Sequence, residues 1–525
     1  MKKKRYIQRQ RISDSRNLLN AQSRVMVDLL CVALLISFAV AIAYPRWRAW
    51  IDWRDEGLLA YGAVRALNGE VPHRDFVSLQ PALSYYTAAI VFKLFGTSLL
   101  SLRVFGLTIF LLLPLLIYAV GRKFVGPLAS LAAAAPVCIL GMPYMRFVPF
   151  AVWQGIAVSF AAILLLVWAV RSNQPWLAVP AGTLVAISGL LRHDQAVYTA
   201  IASIGLVIAL SFADTQFRNL RRVLLLWLGG IAIVSIPLVI LWWSIGALPE
   251  TFRQLVVFPF ATYRKTSALP FPILFKQRSF LDAATAVLFY ISPLVQLIAA
   301  IYVVQSIVRR RFHFDQAVLI FLVVWSGLFF LQALVRSDLT HLLMTLPPFF
   351  LLVAFGWSIA RKRIANRRID VLLSSVVAIV IAFFLWMIRS VALPDMSHET
   401  ELLNLPRGGV RVANAPFLAN FFQTMQAAVP QTRSILALPY QPMFYFLGER
   451  RNPTRWNYLW PGDETEQDYQ TLIAEAEHDP PAVILLSEQN EVASFASTIF
   501  DYVNAHYEQI DSVGDIKIYV PREAN

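Results

Sequence analysis

Carboxylates and guanidinium groups crowd one stretch of this 525-residue chain, WRDEGLLAYGAVRALNGEVPHRDFVSLQP at 53–81. Asp55 and Glu56 are adjacent, with Arg54 before them, and Asp75 follows Arg74 in His73-Arg74-Asp75-Phe76. A carboxylate placed beside a hydroxyl can take its proton as a new bond forms. An arginine can hold the oxygens of a phosphate through paired N–H donors. The plainer reading is that acids at a helix N-terminus complement the macrodipole. That reading covers Asp55 and Glu56 but leaves Arg54, Arg74 and Asp75 without a role.

Two more charged motifs, RHDQ (Arg192, His193, Asp194) and RSDLTH (Arg336, Asp338, His341), stand where apolar runs end. Charges at such boundaries are costly unless paired or functional, so each is either a local Arg–Asp anchor or a phosphate-holding site. Arg146 in GMPYMRF and Arg264-Lys265 after Tyr263 are further candidate cations. His193 and His341 stand nearest to acids but lack ligand spacing such as HxxxH, so no metal is expected. The chain has no phosphate-cradling glycine loop and no nucleotide motif, so no cofactor is expected. A donor activated on a lipid fits that pattern.

These residues must be held by a membrane protein. The chain is 58% hydrophobic and only 15% charged, with mean hydropathy +0.58, too apolar for an ordinary soluble domain. The net charge of +14 sits in short clusters between apolar runs. That is the pattern of topology signals and anionic lipid contact, and it excludes nucleic acid as a partner. Cys31 and Cys138 both lie in apolar runs and read as buried thiols. Apolar runs at 26–44, 99–120, 127–140, 149–170, 176–190, 196–212, 223–243, 283–308, 314–335, 342–360 and 371–391 give about eleven spans, with 127–140 the weakest. The long basic leader favours an uncleaved signal anchor for the first, despite the cleavage-like Ala41-Ile42-Ala43. Basic clusters at the N-terminus, 122–123, 171, 218–222, 309–311 and 361–368 all fall on one side, taken as cytoplasmic. The acidic loop, both charged motifs and everything after 393 then face outward.

The outer loop at 45–98 reads as two interfacial helices. Apolar residues at 58, 59, 62, 63, 66 and 67 mark one helical face over 55–67, with Asn68-Gly69 as its stop. A second amphipathic stretch covers 80–95. The 244–281 loop, with four prolines, reads either as a partly ordered flap over the site or as a plain connector. After 393 the composition turns mixed polar, and a small α/β domain is expected over 394–525, following a transmembrane domain over 1–393. Its strands are read at 434–438, 482–486 and 516–520 and its helices at 464–477 and 492–507. The aromatic and Arg-rich segment 438–462 suits sugar or lipid-phosphate contact, but reads first as core packing with a surface loop.

The run from Asp55 to Arg103, D-E-G…Y-G-A-x-R-x-L-N-G-E-x-P-x-R-D-F…Q-P…F-G…R, resembles the first outer loop of bacterial GT-C glycosyltransferases. The closest group is the family 39-like enzymes, related to protein O-mannosyltransferases and aminoarabinose transferases. The match is strong over the N-terminal fifth and looser over the remaining hydrophobic architecture. The resemblance implies an all-helical membrane bundle and an inverting transferase of the bacterial cytoplasmic membrane. It also implies a polyprenyl-phosphate sugar donor and an acceptor hydroxyl on protein, lipid or glycan. By the same resemblance the catalytic base maps to Asp55, with Glu56 beside it. Some relatives carry a second acid in the next outer loop; here that loop offers only Arg146, leaving Asp75 or Asp194 for the role.

Two other classes share the architecture. A transporter or flippase for a polyprenyl-linked sugar would place ionisable residues near the midplane of its spans, whereas these acids lie at the outer boundary. A non-catalytic envelope assembly protein would leave the acidic loop unexplained.

Overall fold

The computed structural model describes residues 2–213, 219–276, 280–364 and 397–522, with scattered positions between 365 and 396. The first helices are α1 (Lys2–Ala43), α2 (Asp55–Leu67), α3 (Ala82–Phe95), α4 (Leu99–Gly121) and α5 (Pro127–Ala134). There follow α6 (Ala151–Arg171), α7 (Ala178–Leu191), α8 (His193–Ala213) and α9 (Leu220–Ser244). The short α10 (Leu248–Phe252) and α11 (Arg264–Thr266) precede α12 (Phe280–Val308), α13 (Phe314–Val335) and α14 (Leu339–Arg361).

Eight of the expected spans are helices long and apolar enough to cross a bilayer: α1 from Gln22, α4, α6, α8, α9, α12 from Thr285, α13 and α14. The chain is a multi-pass membrane protein. The expected spans at 127–140 and 176–190 are shorter apolar helices, Pro127–Cys138 and Pro175–Leu191. The expected span at 371–391 lies outside the described residues. Helix α9 turns Ile233, Ile236 and Ile240 outward and α12 turns out Leu294, Leu297 and Ile298, as lipid-facing helices do. Packed inside are Trp153, Phe160, Trp227 and Trp325, with the Phe160 and Trp325 rings 4.7 Å apart.

The outer loop folds as its pattern predicts. Helix α2 starts at Asp55 because the Asp52 side chain accepts from the backbone N–H of Arg54 and Asp55, at 3.0 and 3.1 Å. It stops at Asn68, and Gly69 follows at φ +94°. Its face of Leu58, Leu59, Ala60, Tyr61 and Ala63 is buried, each leucine worth about 1.5–3 kcal/mol.

Beyond residue 397 lies the expected α/β unit. Strands β1 (Glu401–Leu402) and β2 (Arg411–Val412) pair antiparallel. Strands β3 (Ile435–Leu438), β4 (Val483–Leu486), β5 (Tyr507–Val513) and β6 (Ile516–Pro521) form one sheet in the order β3-β4-β6-β5. The β3–β4 pair is parallel and the rest antiparallel. The expected helix at 464–477 is Glu466–His478, and that at 492–507 is two helices, Gln489–Phe495 and Ser497–His506. Strand β5 and the helices Ala415–Ala428 and Met443–Gly448 are additions to the expected set.

This unit is fastened to the outer loop. Arg48 donates to the Gly409 carbonyl and Trp50 N to that of Arg411. Tyr61 stacks on Tyr445 at 4.8 Å, while its hydroxyl accepts from Asn452 N. Arg65, buried and paired with Glu70, donates to the Thr454 carbonyl and Asn457 Oδ1. The backbone of Met443 lies so close to α2 that a Cβ on Gly57 would sit 2.5 Å from its nitrogen. Gly57→Ala is therefore expected to lower the thermal midpoint in detergent and to expose the 397–522 unit to limited proteolysis. Unchanged melting and protease resistance would refute this docking.

Candidate active site

The two adjacent acids of α2 face different surroundings. Glu56 is fully buried, and its Oε2 accepts from Arg103 Nη2 at 2.7 Å and from Asp52 N at 3.1 Å. Arg103, on α4, is equally buried and also donates to the carbonyls of Trp50 and Arg146. One ion pair thus fixes the entry to α2, the start of α4 and the 141–150 loop. The Arg146 backbone is left-handed at φ +53°, and its guanidinium stacks 4.1 Å from the Trp50 ring centroid.

Asp55, one residue earlier, is exposed. Its Oδ1 accepts from Tyr440 Oη at 2.6 Å. Burial, and then the Asp55 carboxylate, push the Tyr440 phenol well above its ordinary pKa, so it stays protonated and donates. Tyr440 is held by the rings of Tyr458 and Trp460, at 5.3 and 6.0 Å.

A cavity of about 280 Å³ opens beside this pair, lined by Arg54, Thr266, Ser267, Arg336, Tyr440 and Trp460 among others. Arg54 reaches across to pair with Glu488. Tyr263 stands at the centre of the charged groups: its hydroxyl bonds to Arg336, and Arg192 and Asp55 are near enough to act on it electrostatically. Of the sequence candidates, Arg54 and Arg336 line the cavity, and Asp55 is bonded to the lining residue Tyr440; Arg192 does not line it. Each arginine also has an acid of its own, Arg192 Nε to Asp194 at 3.0 Å and Arg336 Nε to Asp338 at 2.8 Å. Asp338 further caps α14 through His341 N and pairs with His341 Nδ1. His193 is partly buried, its Nδ1 without a hydrogen-bond partner.

The remaining candidates lie elsewhere. Arg74 and Asp75 form a two-bonded pair at 2.7 and 2.8 Å, and Asp75 accepts from Val71 N. They clamp a tight turn and do not line the cavity. His73 in the same turn is buried, at φ +71°, and burial holds its imidazole down to about 4. The 244–276 segment packs against that turn through Gln254. Gln254, in a π-helical turn at Arg253–Val257, accepts from His73 Nδ1 (2.8 Å) and Ser78 N (3.0 Å). Such turns recur at functional sites. Arg264 and Lys265 are exposed on α11, just before the lining residues Thr266 and Ser267. Among the described residues no group of His, Cys, Asp and Glu could hold a metal ion.

Sequence reasoning did not single out Asp52, Arg103 or Tyr440 as partners of the two acids. Arg103 closed the motif and Tyr440 sat in a noted aromatic segment, but nothing local paired them with Glu56 and Asp55.

No protein-family model matches the chain, and no curated protein does. Solved structures do match. The oligosaccharyltransferase AglB from Archaeoglobus fulgidus, in complex with an inhibitory peptide and a dolichol-phosphate, aligns with a TM-score of 0.57 at 11% identity. That alignment covers 94% of this chain and 74% of AglB. ArnT from Cupriavidus metallidurans, bound to undecaprenyl phosphate, aligns with a TM-score of 0.54 at 13% identity, covering 94% and 98%. The arabinofuranosyltransferase AftD from Mycobacteria gives 0.50 at 11%, covering 96% of this chain and 40% of AftD. These neighbours are GT-C glycosyltransferases, and the chain carries the GT-C fold.

Asp52 supplies a test of the site's electrostatics. Burial, and then the neighbouring charges of Asp55 and Glu56, push its carboxyl up to about 7. An acid whose folded value is raised stabilises the fold at low pH and loses that contribution as pH climbs through the folded value. Asp52→Asn keeps the capping oxygen but removes the charge. Its melting temperature should match the parent near pH 4 and exceed it increasingly up to pH 8. A constant difference across that range would contradict the assignment.

Proposed function

We propose that the protein is an integral-membrane inverting glycosyltransferase. It moves a sugar from a polyprenyl-phosphate donor to an acceptor hydroxyl on the outer face of the bacterial cytoplasmic membrane. The observation that carries this reading is Asp55, an exposed carboxylate bonded to Tyr440, which with Arg54 and Arg336 lines the cavity beside it. The fold supports it, since structures sharing it were solved with undecaprenyl phosphate and with dolichol-phosphate.

In this mechanism Asp55 takes the proton of the acceptor hydroxyl while the oxygen attacks the anomeric carbon. The bond from that carbon to the lipid phosphate breaks on the opposite face, which inverts the configuration. Arg336 and Arg192 stabilise the departing phosphate through charge-assisted hydrogen bonds, with Arg54, Arg264 and Lys265 close to the path. Glu56 serves by fixing the loop, through Arg103. Arg74, Asp75, Asp338 and His341 act as supports of the turn and of α14, and Asp194 orients Arg192. Tyr440 is a positioning residue. The N-terminus is cytoplasmic and the 397–522 unit lies outside, as the basic clusters require.

Asp55→Asn should lower sugar transfer at least ~100-fold, the lower end for loss of a general base, while the protein still inserts and melts normally. Full transfer by that folded variant would sink the reading. Tyr440→Phe removes a hydrogen bond to a charged group, worth ~1.5–3 kcal/mol, so kcat should fall about 10–100-fold with donor KM little changed. A rise in KM alone would assign Tyr440 to binding instead.

A further inference from the structure

A second cavity lies on the other side of the catalytic segment. It holds about 380 Å³ and is walled by Trp50, Trp53, Phe421 and Phe444, with Asp52, Gln441 and Asp515 supplying its polar groups. Arg54 lines this cavity and the first one alike, so the Asp52–Asp55 segment forms the partition between them. The far wall is the outer domain: the helix Ala415–Ala428, the residues beside Tyr440, and the β5–β6 turn.

Building on the proposed transferase activity, we infer that this second cavity binds the acceptor, and that the acceptor is a carbohydrate. Its chemistry excludes the other half of the reaction. Its one guanidinium is already paired with Glu488 and the exposed Asp515 carboxylate stands at its rim, so a phosphate would find no free cation there. A purely apolar ligand would strip water from Asp515 with nothing in exchange, at a cost. A neutral ring bearing hydroxyls satisfies both surfaces. Its C–H faces lie on indole and phenyl rings, and its hydroxyls donate to carboxylates, which only accept when ionised. Trp53 is prepared as such a platform: it is half-buried and held from behind by Phe444 at 5.3 Å and Phe422 at 6.3 Å. The volume falls in the ~300–1,000 Å³ range of small-molecule sites, room for a short saccharide.

The test is binding to the full-length Asp55→Asn protein in detergent, so that transfer does not enter the readout. The probes are a panel of di- and trisaccharides of envelope sugars, serine- and threonine-containing peptides, and undecaprenyl phosphate, followed by saturation-transfer NMR. At least one saccharide should bind saturably. Its affinity should fall at least 10-fold with Trp53→Ala and several-fold with the exposed rim change Asp515→Asn. It should stay within 2-fold with Trp53→Phe and with Arg336→Gln in the first cavity. Trp53→Phe and Asp515→Asn keep the test valid where Trp53→Ala fails to fold. No saturable saccharide binding, binding indifferent to Trp53 and Asp515, or Trp53-dependent binding of peptide or undecaprenyl phosphate alone would overturn the inference. Full transfer by Asp55→Asn would instead overturn the proposed function, whatever binds here.

Discussion

The buried Glu56–Arg103 pair is the constraint on which the outer face of this protein depends. Neither side chain reaches solvent, and their remaining hydrogen bonds go to backbone of the 50–52 segment and of the 141–150 loop. An ion pair in such a place contributes little as a net attraction, because both ions are desolvated. Its force lies in the asymmetry of losing one partner: a lone buried charge costs ~3–5 kcal/mol. The polypeptide therefore holds the start of α2 and the start of α4 in one relation, and the next residue, Asp55, is turned outward by the helix it begins. The outward position of Asp55 rests on the structural role of its neighbour.

Around that pair the outer domain behaves as a second half of the site. The segment following β3 supplies Tyr440 and the close backbone of Met443. The 244–276 segment packs against the outer loop through Gln254, and its Thr266 and Ser267 line the first cavity. Three elements far apart in sequence thus enclose a space that the membrane bundle alone leaves open.

Much of this was legible in the sequence, for identifiable reasons. Helix α2 was read to its observed limits because apolar periodicity and the Asn-Gly stop are local signals. Strands β3, β4 and β6 were marked by short apolar runs. The resembling run also carries architecture: Gly57, Tyr61 and Arg65 prove to be docking residues for the outer domain. What local pattern does not encode is pairing at a distance. The Tyr440–Asp55 bond spans 385 positions and the Arg103–Glu56 bond 47. Arg74 and Asp75 looked like site residues because adjacent opposite charges give the same sequence signal whether they face a substrate or each other.

The bond between Tyr440 and Asp55 also sets an order of events during biogenesis. A ribosome that has completed the first spans has made Asp55, but its partner emerges hundreds of residues later, and the docking contacts at Asn452 and Thr454 later still. The site therefore matures last, after the whole bundle has inserted, and a truncated chain carries its carboxylate without the tyrosine that aims it.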